Sequence, residues 1–298
     1  MNKREKERFT EEMTVRGLSS NTAKAYEASL KQFFDFYKGK AAKSLGIPEI
    51  KAFQRHLIEQ GDYSPNTINR YLTAVRVFYR WVYNRHEYTS DNLPRVRAPK
   101  HQPVVLSRAE VKKMIESVNK YFYKAILMTL YSTGLRATEV RRLKVTDIDR
   151  DRMVITVREG KGGKDRQALL SPVTLEYLEK YWREERIQRK QKSEYLFMPS
   201  KNPRSWKLNQ HLSHTALGYI VDVAVKAAGI KKNVTPHTFR HSFAVHLLEK
   251  GTSVKHIQYL LGHADMRTTG RYLQIADIKN IAVKSPLDDL LEVLDEKK

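Results

Sequence analysis

Apolar residues recur at helical spacing through the first part of the chain. Three such series cover residues 26–37, 48–58 and 64–82, and the second opens with Pro48, a residue that suits the first turn of a helix. Each series predicts a helix that buries one face against its neighbours. Together they predict an N-terminal helical domain over residues 1–92.

The pattern changes further along the chain, where helical series alternate with short runs of alternating apolar and polar residues. Two of these runs flank a glycine-rich turn at residues 160–164 and predict a β-hairpin, and a third strand is expected nearby. Helices are predicted again after Ser171. This mixture predicts an α+β domain over residues 107–283. The predicted helices before the turn are 109–118 and 121–132, and the predicted strands are 145–148, 153–157 and 167–170.

Charge makes nucleic acid the expected partner. The 298 residues include 55 Lys and Arg against 33 Asp and Glu, for a formal net charge of +22. Such a basic protein attracts polyanions, although charge alone does not distinguish binding DNA from acting on it. The chain has no cysteine, no apolar run long enough to span a membrane and no signal-peptide pattern. We therefore expect a cytoplasmic, nucleoid-associated prokaryotic protein with no membrane partner.

A basic, proline-rich segment at residues 93–106 separates the two predicted domains, and its prolines favour an extended linker. In the N-terminal domain, Ser19 and Ser64 each begin a run of hydroxyl and amide residues followed by a basic residue. Such runs are typical of ordinary helix caps, and a helix start can also face a phosphate. The candidate DNA contacts are Lys24, Asn66, Thr67, Arg70, Arg95, Arg97 and Lys100.

Three segments of the second domain, at residues 133–139, 235–241 and 260–272, combine charged and hydroxyl side chains. In the second segment, His237 and Arg240 lie three positions apart near a predicted helix start and therefore project from one face. The free backbone N–H groups at such a start suit an anionic ligand. In the third segment, Gly262 fits the glycine cap of a predicted helix, and His263 follows it directly.

These residue types suit phosphoryl transfer without a metal ion. Arginine and histidine can neutralise charge on the phosphate oxygens, and a tyrosine hydroxyl, such as that of Tyr272, can act as the covalent nucleophile. A lysine can protonate the departing oxygen. Lys161 on the predicted hairpin turn is the candidate acid, and Lys164 on the same turn is the alternative.

In combination and order, these segments resemble the motifs of the tyrosine recombinases, the phage integrase family, and most of all its Xer-type and transposon-borne members. The motifs are T-G-L-R-x-x-E, H-x-x-R, L-G-H and T-T-x-x-Y, and the resemblance covers nearly the whole chain. It implies a mainly α fold with a small β-sheet, in which a SAM-like core-binding domain and an α+β catalytic domain form a C-shaped clamp. The implied active site is Arg136, Lys161, His237, Arg240, His263 and Tyr272, supported by Glu139 and His241.

The resemblance further implies a site-specific DNA recombinase for integration, excision, transposition or dimer resolution. Tyr272 would attack a DNA phosphate to give a 3′-phosphotyrosine, and Lys161 would protonate the leaving 5′ oxygen. The two arginines and His263 would stabilise the transition state, with His237 assisting by proton transfer or hydrogen bonding. Since the phosphotyrosine preserves the bond energy, no ATP, metal or other cofactor is expected.

The partners implied by the resemblance are double-stranded DNA with inverted-repeat core sites and three further copies of the chain in a homo-tetramer. A second recombinase or an accessory protein is also possible in this family. The C-terminal tail, residues 284–298, carries leucines at helical spacing among acidic residues. Such a helix could pack on its own domain, and the resemblance favours docking on a neighbouring subunit.

Two other functions are compatible with these motifs. A type IB topoisomerase-like enzyme would share the chemistry but would nick and reseal a single duplex. A non-catalytic DNA-binding regulator would need none of the six reactive residues. In this chain, all six positions carry residues of the types that the reaction requires. A zinc site at His237 and His241 is not favoured, because the segment lacks the glutamate of a His-Glu-x-x-His motif and Arg240 would repel a cation.

Overall fold

The computed structural model describes residues 1–89, 91–99, 102–158, 165–187, 193–198, 210–263 and 265–276. The chain divides into two compact units, Met1–His101 and Gln102–Lys298. Each unit has a hydrophobic core of its own. None of the helices found within the described residues is both long enough and apolar enough to cross a membrane.

The first unit is helical, and it contains the three helices that the sequence predicts. It has one further helix at its start, which the apolar pattern does not indicate because only Phe9 and Met13 of its residues are buried. Ser19 and Ser64 cap two of the helices through hydrogen bonds from the backbone N–H groups of Thr22 and Thr67. The elements are α1 (Lys3–Val15), α2 (Ser20–Phe36), α3 (Ile47–Glu59) and α4 (Pro65–Tyr83), with a 3-10 turn at Ala42–Ser44.

Aromatic rings make up much of the core of this unit. Phe33 packs edge-to-face against Phe53 and Tyr79, at centroid distances of 5.2 and 6.4 Å. Tyr79 also stacks on Tyr88, and its buried hydroxyl donates a hydrogen bond to the carbonyl oxygen of Ala42. These contacts tie α2, α3 and α4 together.

The segment predicted as a linker is held against the first unit at its beginning. Leu93 is fully buried, and the Asn69 side chain exchanges two hydrogen bonds with the backbone of Val96, at 2.8 and 2.9 Å. Gln54 donates another to the carbonyl oxygen of Pro94. Residues 93–96 are therefore an ordered extension of this unit.

The second unit surrounds a small antiparallel sheet with helices. Its strands pair in the order β1-β2-β3, and Ile155 of β2 lies opposite Ala168 of β3, as the predicted hairpin requires. The elements are α5 (Arg108–Glu116), α6 (Tyr121–Thr133), α7 (Ala137–Arg142), β1 (Ile148–Asp149), β2 (Val154–Val157), β3 (Arg166–Leu169), α8 (Pro172–Tyr181), α9 (His214–Ala228), α10 (Pro236–Glu249), α11 (Val254–Leu261) and α12 (Met266–Gly270), with a 3-10 turn at Val145–Asp147, a π-helical turn at Trp182–Ile187 and a 3-10 turn at Arg271–Gln274.

The predicted third strand, 145–148, is wrong in its position. Val145–Asp147 forms a 3-10 turn, and the strand begins only at Ile148. The cause is Asp147, whose buried carboxylate accepts hydrogen bonds from the Lys144 backbone N–H and from the Arg158 side chain. Such capping favours a turn over an extended strand. The mainly α fold with a small β-sheet is nevertheless as predicted.

Candidate active site

Two helices of the second unit, α6 and α11, end beside one another. Gly134 caps the end of α6 and Gly262 caps the end of α11, with φ angles of +60° and +62°. Arg240 joins these two ends, because its guanidinium donates to the carbonyl oxygens of Gly134 and Leu261, both at 2.7 Å. Arg136 donates in the same way to the carbonyl oxygen of Gly262, at 3.0 Å.

Both capping glycines are required by packing as well as by backbone conformation. A Cβ atom at Gly134 would lie 2.4 Å from the ring of Phe243, and one at Gly262 would lie 2.8 Å from the Cδ atom of Arg166. At positive φ, L-residues are also strained. The glycines of the T-G-L-R and L-G-H motifs therefore allow the close approach on which the site depends.

Arg240 is a buried cation. Only 3% of its surface is exposed, and burial followed by repulsion from Arg136 lowers the pKa of its guanidinium to about 10. It therefore remains charged at neutral pH. A charge held by two carbonyl dipoles is preorganised to interact with an anion.

Arg136 is held by a network of charged groups around Glu139. The buried Glu139 carboxylate accepts one hydrogen bond from the Arg136 guanidinium at 2.8 Å and two from Arg166, at 2.9 and 2.8 Å. It also accepts from the Arg136 backbone N–H. Burial alone would raise the pKa of Glu139, but these hydrogen bonds and charges outweigh it and lower the pKa to about 2. One carboxylate thus fixes two arginines.

Arg166 is a member of this cluster that the motifs do not identify. It begins β3, and its Nε atom lies 3.4 Å from the carbonyl oxygen of Leu260, near the end of α11. The pairing of the hairpin strands could have identified this residue, because Arg166 lies opposite Val157, a buried position of β2. A charged residue at an inward-facing strand position needs a buried partner, and here that partner is Glu139.

Tyr272 is buried next to these cations. Its exposed fraction is 3%, and its hydroxyl lies 3.0 Å from the Nδ1 atom of His241. Its ring is nearly parallel to that of His263, with the centroids 6.3 Å apart. Burial raises the pKa of Tyr272, whereas the positive charges of Arg240, Arg271 and Arg136 oppose that shift.

Three histidines surround the cluster, and all three are neutral at pH 7. Burial is the main cause of a lowered pKa in each, and nearby cations add to it. The pKa values of His241 and His263 fall to about 4. The Nδ1 atom of His263 lies 2.9 Å from the hydroxyl of Thr269, which orients its ring. His237, at the start of α10, keeps part of its surface exposed, although its imidazole is close enough to Arg240 and Arg136 to feel their charges.

The structure therefore brings Arg136, His237, Arg240, His263 and Tyr272 into one cluster, with Glu139 and His241 adjoining it. Lys161 and the alternative Lys164 lie outside the described residues, as do Lys100 and the C-terminal tail. Across the part of the chain that is described, no group of three His, Asp or Glu side chains could hold a metal ion. Of the remaining predicted DNA contacts, Thr67 is half-buried as part of the α4 cap, and the exposed ones are Lys24, Asn66, Arg70, Arg95 and Arg97.

Comparisons with known proteins cover both units. Residues 104–278 match the model of the phage integrase family, and residues 6–87 match the N-terminal SAM-like domain of phage integrases. The chain is 38% identical over 288 residues to a Sinorhizobium fredii protein named as an integrase/recombinase, y4qK, and this alignment covers 95% of the chain and 88% of the relative. It is 33% identical over 269 residues to tyrosine recombinase XerA of Pyrococcus horikoshii, covering 90% and 88%.

The fold is also similar to that of lambda integrase in a crystal structure of its tetramer bound to a Holliday junction. The TM-score is 0.66, the sequence identity is 19%, and the similarity covers 95% of this chain and 78% of the other. The family models and the structural similarity each extend over both parts of the fold predicted from the sequence.

Proposed function

The chain belongs to the phage integrase family, the tyrosine recombinases, and we propose that it recombines DNA at specific sites through a 3′-phosphotyrosine formed on Tyr272. The observation that carries this proposal is the buried Tyr272 hydroxyl beside the guanidinium groups of Arg136 and Arg240. A buried phenol among cations is suited to attack a phosphodiester, because the cations neutralise the charge that develops on the phosphate.

In the proposed reaction, the Tyr272 oxygen attacks the phosphorus atom and the bond to the 5′ oxygen breaks. Each terminal nitrogen of Arg240 carries two hydrogens and uses one for a carbonyl oxygen, so each retains an N–H for a phosphate oxygen. Arg136 adds a second positive charge beside the phosphate, and the neutral imidazole of His263 is proposed to donate a hydrogen bond to it. Lys161, outside the described residues, is the proposed acid for the 5′ oxygen, and His237 is proposed to bind the phosphate at the exposed start of α10.

Glu139 and Arg166 act in this proposal as positioning residues for Arg136. The Glu139 carboxylate has no freedom to rotate, because both of its oxygens accept hydrogen bonds from Arg166. Since the same carboxylate holds the Arg136 guanidinium, the strand β3 and the helix α7 are locked in one arrangement. Bidentate pairs of this kind fix geometry as well as charge.

The proposed substrate is double-stranded DNA with inverted-repeat core sites. The exposed basic residues at the helix starts and in the extension of the first unit are proposed to contact its backbone. The lambda integrase tetramer on a Holliday junction supports a tetrameric assembly, in which the tail 284–298 is proposed to dock on the neighbouring subunit. A clamp that grips opposite faces of the duplex stays a prediction from the family resemblance.

A nicked suicide substrate tests this function. The short strand released on cleavage diffuses away, so the protein stays covalently attached to the 3′ end. We expect a stable adduct with the wild-type chain, none with Tyr272→Phe, and an undiminished yield with Tyr131→Phe, which alters another buried tyrosine of the same unit. An adduct that persists in Tyr272→Phe would contradict the proposal.

Reaction products separate recombination from a topoisomerase-like activity. A plasmid with two copies of the target site should yield exchanged or excised circles. Relaxation of supercoils without exchanged products would favour the single-duplex nicking and resealing enzyme instead.

A further inference from the structure

The hydroxyl of Tyr272 contacts one basic group. Among the residues that the structure describes, the Nδ1 atom of His241 is the hydrogen-bond partner of this hydroxyl, at 3.0 Å. We propose that His241 is a catalytic residue that accepts the Tyr272 proton as the hydroxyl attacks DNA. This inference rests on the proposed role of Tyr272, and it gives His241 more than the supporting part that the motif suggests.

His241 is in the right protonation state for this role. Burial lowers its pKa to about 4, and the positive charges of Arg240 and Arg271 and the neighbouring His237 contribute. The imidazole is therefore neutral at pH 7. The phenol keeps its proton at that pH. In the proposed step the imidazole is the tautomer with its hydrogen on Nε2, so that the hydroxyl donates and the Nδ1 lone pair accepts.

The charged and titratable groups that face His241 come from three elements. His237 and Arg240 lie on its own helix, α10, and Arg271 and Tyr272 lie on the following 3-10 turn. His263 faces it from the end of α11. Within the described chain, no carboxylate is among the groups that shift the pKa of His241. The imidazolium therefore forms only when the proton of Tyr272 is transferred.

The backbone around His241 is fixed on both sides. Arg240 is tied to the ends of α6 and α11 by its two carbonyl hydrogen bonds. On the other side, the buried Ser242 hydroxyl accepts a hydrogen bond from the backbone N–H of Leu106. The imidazole between these residues is therefore presented to Tyr272 at a defined place, as proton transfer requires.

The other two histidines of the site are less suited to take this proton. The Nδ1 atom of His263 is engaged by the Thr269 hydroxyl, and its ring is nearly parallel to that of Tyr272, with the centroids 6.3 Å apart. His237 lies at the exposed start of α10, and no hydrogen bond joins it to Tyr272 within the described residues. His241 is thus the histidine that touches the reacting oxygen.

As the Tyr272 oxygen forms its bond to phosphorus, the hydroxyl proton passes to Nδ1 of His241, and the bond between phosphorus and the 5′ oxygen breaks. That oxygen takes a proton from the proposed acid, Lys161, and leaves as a 5′-hydroxyl. In rejoining, a 5′-hydroxyl gives its proton to Lys161, attacks the phosphotyrosine, and the released phenolate recovers its proton from the His241 imidazolium.

The substitution His241→Asn tests proton acceptance separately from hydrogen bonding. The Asn oxygen lies where Nδ1 lay and can accept the hydrogen bond, but an amide cannot take up the proton. We expect single-turnover cleavage of the suicide substrate to slow by about 10²-fold, with unchanged DNA affinity in a gel-shift assay. The matched control is His246→Asn, which alters a second histidine of α10 that hydrogen-bonds Tyr131 at 2.8 Å and should cleave as wild type.

Two further measurements distinguish proton transfer from a structural role. Added imidazole should raise the cleavage rate of His241→Ala at least tenfold and should not change the cleavage rate of His246→Ala. A substrate with sulfur in place of the bridging 5′ oxygen, whose leaving group needs no proton, should rescue Lys161→Ala and should not rescue His241→Asn.

Cleavage by His241→Asn within threefold of wild type, or its rescue by the sulfur substrate, would overturn the inference. Equal losses in the His241 and His246 variants would also overturn it, because they would indicate a general effect on α10. The proposed function fails separately, through an adduct that persists in Tyr272→Phe.

Discussion

Two histidines of helix α10 each form a hydrogen bond with a tyrosine, and only one of these pairs belongs to the candidate active site. His241 contacts Tyr272 at 3.0 Å, and His246 contacts Tyr131 at 2.8 Å. In both pairs, burial lowers the pKa of the histidine and raises that of the tyrosine. As isolated hydrogen bonds, the two pairs are nearly equivalent.

Their electrostatic surroundings differ. Beside Tyr131, the positive charge of Arg108 is paired with Glu249, whose carboxylate lies 3.6 Å away. Beside Tyr272, Arg240 makes its hydrogen bonds to backbone carbonyl oxygens, which carry no net charge. The second tyrosine therefore faces positive charge that a phosphate could balance. We infer that the unbalanced positive charge, rather than the hydrogen bond, distinguishes the proposed nucleophile Tyr272 from the structural tyrosine Tyr131.

Removing the buried cation Arg240 should have the largest effect on the cleavage rate. We expect Arg240→Ala to slow single-turnover cleavage by at least about 10²-fold, because a preorganised charge beside the phosphate is lost. Arg108→Ala, beside the other pair, should cleave within about twofold of wild type. Equal losses in the two variants would show that the contrast in charge has no catalytic meaning.

The next largest effect should come from the glycine that lets Arg166 approach the site. Gly262→Ala adds a Cβ atom 2.8 Å from Arg166, so it should displace that side chain from Glu139 and slow cleavage about tenfold. Gly229→Ala is the matched control, because Gly229 also caps a helix at positive φ but has open space around its Cβ position. Both should lose about 1 kcal/mol of stability from backbone strain. A normal cleavage rate in Gly262→Ala would contradict the positioning role of Arg166.

Acid should destabilise the fold through both pairs. The pKa values of His241 and His246 are lower in the folded chain than in the unfolded one, so the unfolded chain binds protons first as pH falls. The free energy of unfolding should therefore decrease from about pH 6.5 towards pH 4. His241→Asn should make this decrease shallower by up to about 3 kcal/mol, as measured by urea unfolding at several pH values. An unchanged slope would show that the pKa of His241 is the same in the folded and the unfolded chain.

The smallest effect on cleavage is expected from a change in the structural pair, His246 and Tyr131. Tyr131→Phe removes a hydrogen bond from a buried histidine, which should cost about 1 kcal/mol of stability. Its cleavage rate and its DNA affinity should equal those of the wild-type chain. A cleavage defect comparable to that of His241→Asn would remove the distinction between the pairs.

Local patterns in the sequence predicted most of the fold. Helices α2, α3 and α4 and the hairpin follow from apolar spacing, and Gly262 caps its helix as predicted. The misplaced third strand shows the limit of this approach. Its start depends on hydrogen bonds to Asp147, one of them from a residue eleven positions away, and the apolar pattern does not contain that information.

The candidate site shows a similar division. Through their resemblance to the family, the motifs predicted that Arg136, His237, Arg240, His263 and Tyr272 belong to one site, because each motif can be recognised as a short segment of sequence. They did not predict Arg166 or the contact between His241 and Tyr272. These depend on the hairpin register and on how α10 packs against the turn at Arg271–Gln274, which are set by tertiary packing.

The most direct test of the account is to locate the amino acid that carries the DNA. The adduct on the suicide substrate can be digested with trypsin, and cleavage after Arg271 and Lys279 yields a peptide in which Tyr272 is the one tyrosine. Mass spectrometry should find the nucleotide mass on this peptide, attached through a 3′-phosphate. Attachment to any other peptide, or through a 5′-phosphate, would contradict it.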